Sequence, residues 1–454
     1  MKLSEIDGTL REIRVTPIKT LGQNFLHDGN LARWIIEKLE LRPDDYAVEI
    51  GPGLGALTSL ALESRARVLA IEKDARLANF LRERFTSTRL EVLHADALDF
   101  DLRNLFAQPR VKCFGNLPYY VSSQLLLKFI QDPSPILLWM FMLQKEMARR
   151  LSAKPNASDY SALTLLVQSR YRVEYLRTVP STVFLPKPEV DSALVRLTPR
   201  QVNELPDYHR EMFASLVRTG FSQRRKQLQK LLRAEIPDWE KVTNEIGIEP
   251  KARAEELSLA QWIALTNVVR RPHVPDSDRI ESERFPIVDE HDRVVGAAPR
   301  REVHGDNLRH RAVHILIFNK AGEVFLQKRS RGKDRHPLRW DSSAAGHVDA
   351  GEEYDQAAHR ELREELGISA KLKRMGKLEA SERTGQEFIW LYRADHEGPF
   401  RLAPAEIDYG GFFPTHLVAA WIRARPQEFA PGFIECWKNY QRRPADSSCA
   451  DKTP

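Results

Sequence analysis

Val48-Glu49-Ile50-Gly51-Pro52-Gly53-Leu54-Gly55 sets three glycines directly behind a β-rich run and ahead of a helical one. That order decides the fold of the N-terminal half. Glycine permits a tight turn and a close backbone approach, and the helix N-terminus that follows favours a polar or anionic ligand group. Downstream, Arg67 to Ile71, Leu90 to Leu93 and Val111 to Phe114 are further short β-rich runs separated by helical stretches. Strands alternating with helices predict a parallel sheet in a Rossmann-like α/β layer fold. Glu72 closes the second strand, where a carboxylate can accept both ribose hydroxyl protons. Asp96 follows the third strand, in place to accept from an adenine amino group. The glycines with the two acids predict an adenosine-containing cofactor, and GxGxG spacing favours S-adenosylmethionine over a dinucleotide.

After the fourth strand comes Gly115-Asn116-Leu117-Pro118-Tyr119-Tyr120. An exocyclic adenine amine is a poor nucleophile because its lone pair is delocalised into the ring. Accepting its two N–H groups on the Asn116 side-chain oxygen and the Leu117 carbonyl would draw the nitrogen towards tetrahedral geometry. Attack on a methyl sulfonium is then mainly a matter of positioning, with no dedicated base. Tyr119 can stack on the extruded base.

The chain has 454 residues, 69 basic and 63 acidic. Residues 1–271 hold 40 basic and 33 acidic side chains, a surplus of +7, whereas residues 272–454 hold 29 and 30, or −1. The surplus favours a polyanionic partner for the first part. Its densest stretch is Phe221 to Arg233, with Arg224, Arg225, Lys226, Lys230 and Arg233 and no acid, read as a basic helix face that meets RNA phosphates. Three scattered cysteines, Cys113, Cys436 and Cys449, give neither a disulfide framework nor a zinc knuckle, which suits a reducing cytoplasm. The longest apolar run, Ile136 to Leu143, is eight residues, far below the roughly 20 that span a bilayer. No membrane partner is expected.

Several motifs together resemble the ribosomal RNA adenine dimethyltransferases of the small-subunit type. They are Lys19-Thr20-Leu21-Gly22-Gln23-Asn24-Phe25-Leu26, the Glu49 to Gly55 turn, Asn116-Leu117-Pro118-Tyr119, Leu143-Gln144-Lys145-Glu146 and Phe184 to Ser192. The resemblance covers about residues 10 to 268. It implies that Asn24, Leu26, Gly51, Gly53, Glu72, Asp96 and Asn116 contact S-adenosylmethionine. It also implies that Asn116 and Tyr119 hold the target adenine while Phe184 stacks on its other face. Tyr120 departs from the family's usual Asn. The implied reaction is N6,N6-dimethylation of two adjacent adenines in small-subunit (16S) rRNA, on the immature small ribosomal subunit. Two alternatives stay open: an RNA-binding assembly factor with weak or lost methylation, and a large-subunit rRNA methylase.

A second signature lies at Gly346-His347-Val348-Asp349-Ala350-Gly351-Glu352 followed by Arg360-Glu361-Leu362-Arg363-Glu364-Glu365-Leu366-Gly367-Ile368. It fits G-x5-E-x7-R-E-U-x-E-E-x-G-U, with U apolar; its seven fixed residue types would arise by chance in one register with probability below roughly 10⁻⁸. Glu361, Glu364 and Glu365 fall at i, i+3 and i+4 of one helix, so their carboxylates crowd one face. Mg²⁺ or Mn²⁺ resolves that repulsion, neutralises a diphosphate and activates water. Arg360 can orient Glu361. The pattern resembles the Nudix hydrolases over about residues 284 to 436, which implies an α/β/α sandwich, metal ligands Glu361, Glu364 and Glu365 with Glu361 catalytic, and a small-molecule diphosphate substrate.

The expected organisation is a Rossmann-like methyltransferase domain over 1–200, a helical RNA-contacting subdomain over 201–271, a linker over 272–283, a Nudix domain over 284–440 and a disordered tail over 441–454. The chain is expected to be monomeric.

Overall fold

The computed structural model describes residues 3–17, 23–118, 121–129, 134–201, 204–270 and 283–442. Contacts divide it into two compact units, Met1–Arg270 and Arg271–Pro454. The expected tail, apart from Gln441 and Arg442, and the expected linker, apart from Glu283, lie outside the described residues.

The strands of the first unit are β1 (Phe25–Leu26), β2 (Tyr46–Ile50), β3 (Arg67–Glu72), β4 (Leu90–His94), β5 (Val111–Asn116), β6 (Ile136–Gln144), β7 (Tyr171–Val179), β8 (Phe184–Leu185) and β9 (Ser192–Pro199). Seven of them, among the described residues, make one sheet in the order β4-β3-β2-β5-β6-β9-β7. The first five run parallel, and β9 and β7 add antiparallel pairs at one edge. Parallel neighbours need crossovers, which helices Ala56–Glu63, Ala75–Arg84 and Ser122–Phe129 supply. Helices on both faces bury the sheet on both sides. Along β6, Trp139, Phe141 and Leu143 enter one apolar cluster while Met140 and Met142 enter the other. Each such side chain stabilises the fold by about 1.5–3 kcal/mol relative to exposure. All five parallel strands aim their C-terminal ends at one edge, where ligands bind in open α/β sheets.

Helices Arg210–Gly220, Leu228–Leu231, Trp239–Ile246 and Leu259–Arg270 close a separate core on Phe213, Leu216, Trp262 and Ile263. Ala153, Tyr160 and Leu165 belong to that core, and the Tyr160 hydroxyl donates to the Leu257 carbonyl at 3.0 Å. The helical subdomain therefore takes part of its core from before residue 200, because the segment that leaves β6 packs against it. The basic stretch is a correction. Residues 222–226 form turns and the helix that follows spans only Leu228–Leu231, so Arg224, Arg225 and Lys226 project from a turn instead of a helix face. All three are exposed, as is Lys230, and Arg224 donates to the Ser158 carbonyl.

The second unit contains β10 (Arg284–Val288), β11 (Val294–Pro299), β12 (His310–Phe318), β13 (Glu323–Arg329), β14 (Trp340–Asp341), β15 (Ala344–His347), β16 (Lys373–Leu378), β17 (Glu387–Asp395) and β18 (Ile407–Pro414). The sheet path is β14-β13-β12-β17-β16, with β15 on β12 and β18 on β13; β10 and β11 pair separately. Alternation along β12 separates two layers. Val313, Ile315 and Ile317 pack on helix Tyr354–Leu366, whereas Phe318 meets Tyr440 of helix Pro431–Gln441 on the opposite face, ring centroids 5.4 Å apart. The result is an α/β/α sandwich. Helix Tyr354–Leu366 stops at Gly367, which caps it in the left-handed region at φ +66°. Among the described residues no helix is long and apolar enough to cross a membrane.

Candidate active sites

The turn after β2 places Gly51, Gly53 and Gly55 at φ +66°, +58° and +80°, a conformation that side-chain-bearing residues rarely adopt. It opens a cleft of about 740 Å³ lined by Asn24, Leu26, Gly51, Gly53, Glu72 and Asn116 among others. Glu72 is 7% exposed and accepts from the Gly53 N–H at 3.1 Å and the Asp74 N–H at 2.9 Å. Burial pushes its proton affinity up against those two donors. At the end of β5, the Asn116 Nδ2 donates to the Asn24 carbonyl at 3.0 Å. That bond sets which end of the amide faces inward and leaves Oδ1 to accept. The donor set fits an adenosine cofactor: a carboxylate for hydroxyls, apolar walls from Leu26 and Leu57, and a glycine turn with room for close approach.

Two expected residues are not among those lining this cleft. Asp96 is absent from the cleft lining; it pairs with Lys73 at 2.7 Å and accepts from the Leu98 N–H. Burial raises its proton affinity, but Lys73, the Leu98 N–H and the Lys128 charge together outweigh this and hold it low. Phe184 is 3% exposed, in the apolar core beside Leu26, to which β8 pairs β1. Its ring lines no part of the cleft. Tyr119 lies outside the described residues. One carboxylate escaped the sequence reading as a site residue. Glu49 lines the cleft at 2% exposure and accepts from the Thr58 hydroxyl at 2.6 Å. Burial, with the Glu72 charge nearby, lifts it to about 8. Its position two residues before Gly51 was the one signal for it in the sequence.

In the second unit, helix Tyr354–Leu366 lays Glu361 and Glu365 against β15. The fit depends on Gly346: a Cβ there would lie 2.0 Å from Glu361 Oε1. Glu365 accepts from the Ala345 N–H at 3.1 Å and from Gln327 Nε2 at 3.2 Å. Glu364 differs from its neighbours, since its side chain is 41% exposed. Arg360 ties the group together, reaching Glu361 at 2.7 Å, Glu364 at 3.2 Å, Glu352 at 3.0 Å and the His347 carbonyl at 2.9 Å. Burial would lower the guanidinium's proton affinity, yet Glu352 and Glu361 drive it upward. Glu352, the first fixed acid of the signature, was not singled out as a site residue; its role as Arg360's bidentate partner needed coordinates. Glu361 is raised to about 8, by burial first and then by the Glu365 charge, although Arg360 opposes this. Three carboxylates crowded on one helix face are an all-oxygen donor set, which fits a divalent cation.

The family described as ribosomal RNA adenine dimethylase matches residues 17–271, and the NUDIX domain matches 308–433. The chain is 38% identical over 264 residues to a ribosomal RNA small subunit methyltransferase A of Geobacillus thermodenitrificans, covering 55% of this chain and 90% of the relative. It is 40% identical over 256 residues to the protein of that name from Nitrosospira multiformis, covering 56% and 97%. A solved structure of a dimethyladenosine transferase from Plasmodium falciparum aligns at 25% identity and TM-score 0.47, over 54% of this chain and 98% of that one. A protein whose sheet, glycine turn and Asn-Leu-Pro motif meet at one cleft, and which matches in this way over more than half its length, belongs to the ribosomal RNA adenine dimethylase family, with a Nudix domain fused behind the methyltransferase.

Proposed function

We propose that the first unit dimethylates N6 of two adjacent adenines in small-subunit rRNA on the immature small ribosomal subunit, and that the second hydrolyses a nucleoside diphosphate-linked compound. The observation that carries the first half is Asn116, anchored at 3.0 Å to the Asn24 carbonyl within the cleft that also holds Glu72. S-adenosylmethionine supplies an electrophilic methyl group. Asn116 Oδ1 and the Leu117 carbonyl accept the two N6 hydrogens and hold the amine pyramidal. The proton released on methylation passes to solvent, so placement does most of the work. Glu72 takes the ribose hydroxyls. Exposed Arg225, Lys226 and Lys230, with Arg224, contact phosphates and position the RNA without reading its sequence.

In the second unit Mg²⁺ or Mn²⁺ would be held by Glu361, Glu364 and Glu365 and would neutralise the diphosphate and acidify water. Arg360 orients Glu361, which would accept the attacking water's proton. The protein works as a cytoplasmic monomer. Transfer of labelled methyl groups to small subunits purified without the modification tests the first half. Transfer to adenines of 16S rRNA is the expected result. Absence of transfer, or transfer only to large-subunit rRNA, overturns it. Release of monophosphate from nucleoside diphosphate derivatives with Mg²⁺, abolished in Glu364→Gln, tests the second.

A further inference from the structure

Helix Pro431–Gln441 begins without a side-chain cap. Its N-cap is Ala430, which offers no acceptor, and Pro431 after it has no N–H. The helical ladder opens with the Ile434 N–H on the Ala430 carbonyl at 3.2 Å. The N–H groups of Gly432 and Phe433 therefore have no acceptor among the described residues. Two free donors at the positive end of an eleven-residue helix favour an anion. Ala430 to Phe433 line a cavity of about 770 Å³.

A buried side chain faces those donors. Alternation along β12 puts His314 on the side of Phe318, towards this helix. Four residues of strand and eight of helix both advance roughly 12–13 Å, so Phe318 meets Tyr440 at one end and His314 meets Gly432 at the other. His314 is 6% exposed, and its Nε2 lies 3.8 Å from where a Gly432 Cβ would stand. Its Nδ1 is 2.7 Å from Ser342 Oγ, whereas Nε2 has no partner among the described residues and the ring lines the cavity. An arriving anion selects the form with a hydrogen on Nε2, and the Ser342 hydroxyl can then donate to Nδ1. Arg335 lines the same cavity. Its guanidinium reaches the neutral His304 carbonyl at 3.4 Å and pairs with no carboxylate among the described residues. The acid beside His314, Asp341, is already held by Arg329 Nη1 at 2.9 Å and the Ser342 N–H at 2.8 Å.

We infer that Gly432, Phe433 and His314, with Arg335 as the unbalanced cation of the cavity, form an anion subsite that takes a phosphoryl group of the substrate, separate from the diphosphate that is cleaved. Ala345 and Gly346, against which Glu365 and Glu361 lie, line this cavity too. A diphosphate at the carboxylate helix and a second phosphate at the helix N-terminus thus share one space of ordinary ligand-pocket size. Use of the subsite by a substrate rests on the reading of this unit as a diphosphate hydrolase; binding of phosphate there does not.

The test titrates the full chain, carrying isotope-labelled glycine, with inorganic phosphate in chelator at fixed ionic strength. The Gly432 amide is the resonance missing from Gly432→Asp, a variant that should fold because an acid in the first turn supports a helix. That resonance should shift saturably in the wild type and in Glu364→Gln. His314→Phe should weaken the binding by about tenfold, the loss of one hydrogen bond to a charged group, and Arg335→Gln by less. A Gly432 amide that phosphate does not move, or a titration unchanged in both variants, overturns the inference. Hydrolysis of ADP-ribose and of its terminal phosphate monoester with Mg²⁺ then separates the sources of the phosphate. The monoester should show a KM about tenfold lower, and Gly432→Asp, whose carboxylate takes the donors, should remove that difference. Equal KM values in the wild type overturn use by the substrate and assign the subsite to free phosphate. A Gly432 shift in a chain that hydrolyses neither compound supports the subsite and overturns only the hydrolase reading.

Discussion

Glu72 and Glu361 are both buried carboxylates at the working edge of an α/β unit, yet their surroundings have opposite character. Glu72 is held by two neutral backbone donors, from Gly53 and Asp74. Glu361 is held by the Arg360 guanidinium at 2.7 Å while Glu365 sits on the same helix face. The first arrangement satisfies a lone acceptor and keeps it available for hydroxyl groups. The second crowds carboxylates onto one helix face around Arg360, a donor set that a divalent cation would complete. The two halves of the chain thus use one residue type for two chemistries, and the neighbours decide which.

The comparison is most sharply broken by Asn116→Ala. Loss of the amide should lower methyl transfer by about 100-fold or more, the cost of misplacing a reacting group by an ångström, with diphosphate hydrolysis unchanged. Full methylation by this variant would remove the amide from the mechanism. Glu365→Gln should do the converse. Hydrolysis should fall by about 100-fold, on the scale of removing a partner from a metal site, while methyl transfer persists. Relief of a buried charge should also raise the melting temperature without metal, as calorimetry can check.

Gly346→Ala separates packing from charge. Its Cβ would meet Glu361 Oε1 at 2.0 Å, so the second unit should lose about 1–3 kcal/mol by overpacking as well as hydrolytic activity. Denaturant unfolding gives the first and product assay the second. A pH-dependent effect belongs to Glu49. Its folded affinity of about 8 exceeds its ordinary 4.5, so the folded state keeps a proton that the unfolded chain releases between those values. Stability should fall as pH rises through that window, at up to about 1.4 kcal/mol per pH unit, and Glu49→Gln should flatten the trend. Equal pH slopes in the two proteins would show that Glu49 is not protonated in the fold. Least of all, the Arg225→Ala, Lys226→Ala double variant should weaken RNA binding uniformly across sequences and reduce its salt slope by about 1 for each phosphate no longer neutralised.

Much of the fold was legible because its signals are local. A glycine turn after a β-rich run, followed by alternating strands and helices, leaves few sheet topologies. The bounds of Tyr354–Leu366 follow from its 3.6-residue periodicity and the glycine behind it. The basic stretch from Phe221 misled because charge content does not encode backbone path. Ser222 to Lys226 turn because the chain must reverse between the helices ending at Gly220 and beginning at Leu228. For Asp96 and Phe184 the order along the chain is the whole signal, and it does not reveal that Asp96 pairs with Lys73 or that Phe184 packs in the core beside Leu26.

By itself the sequence determined two α/β units, their order, the glycine turn with Asn116 behind it, and a helix with three acids at i, i+3 and i+4. These depend on spacing along a few residues, and spacing is all that secondary structure needs. Only the tertiary structure decided which carboxylates are buried, that Arg360 clasps Glu352 as well as Glu361, and that Asn116 leans on Asn24 ninety-two positions away. Such pairings come from sheet register and chain crossover, which bring together residues whose sequence separation carries no trace of the contact.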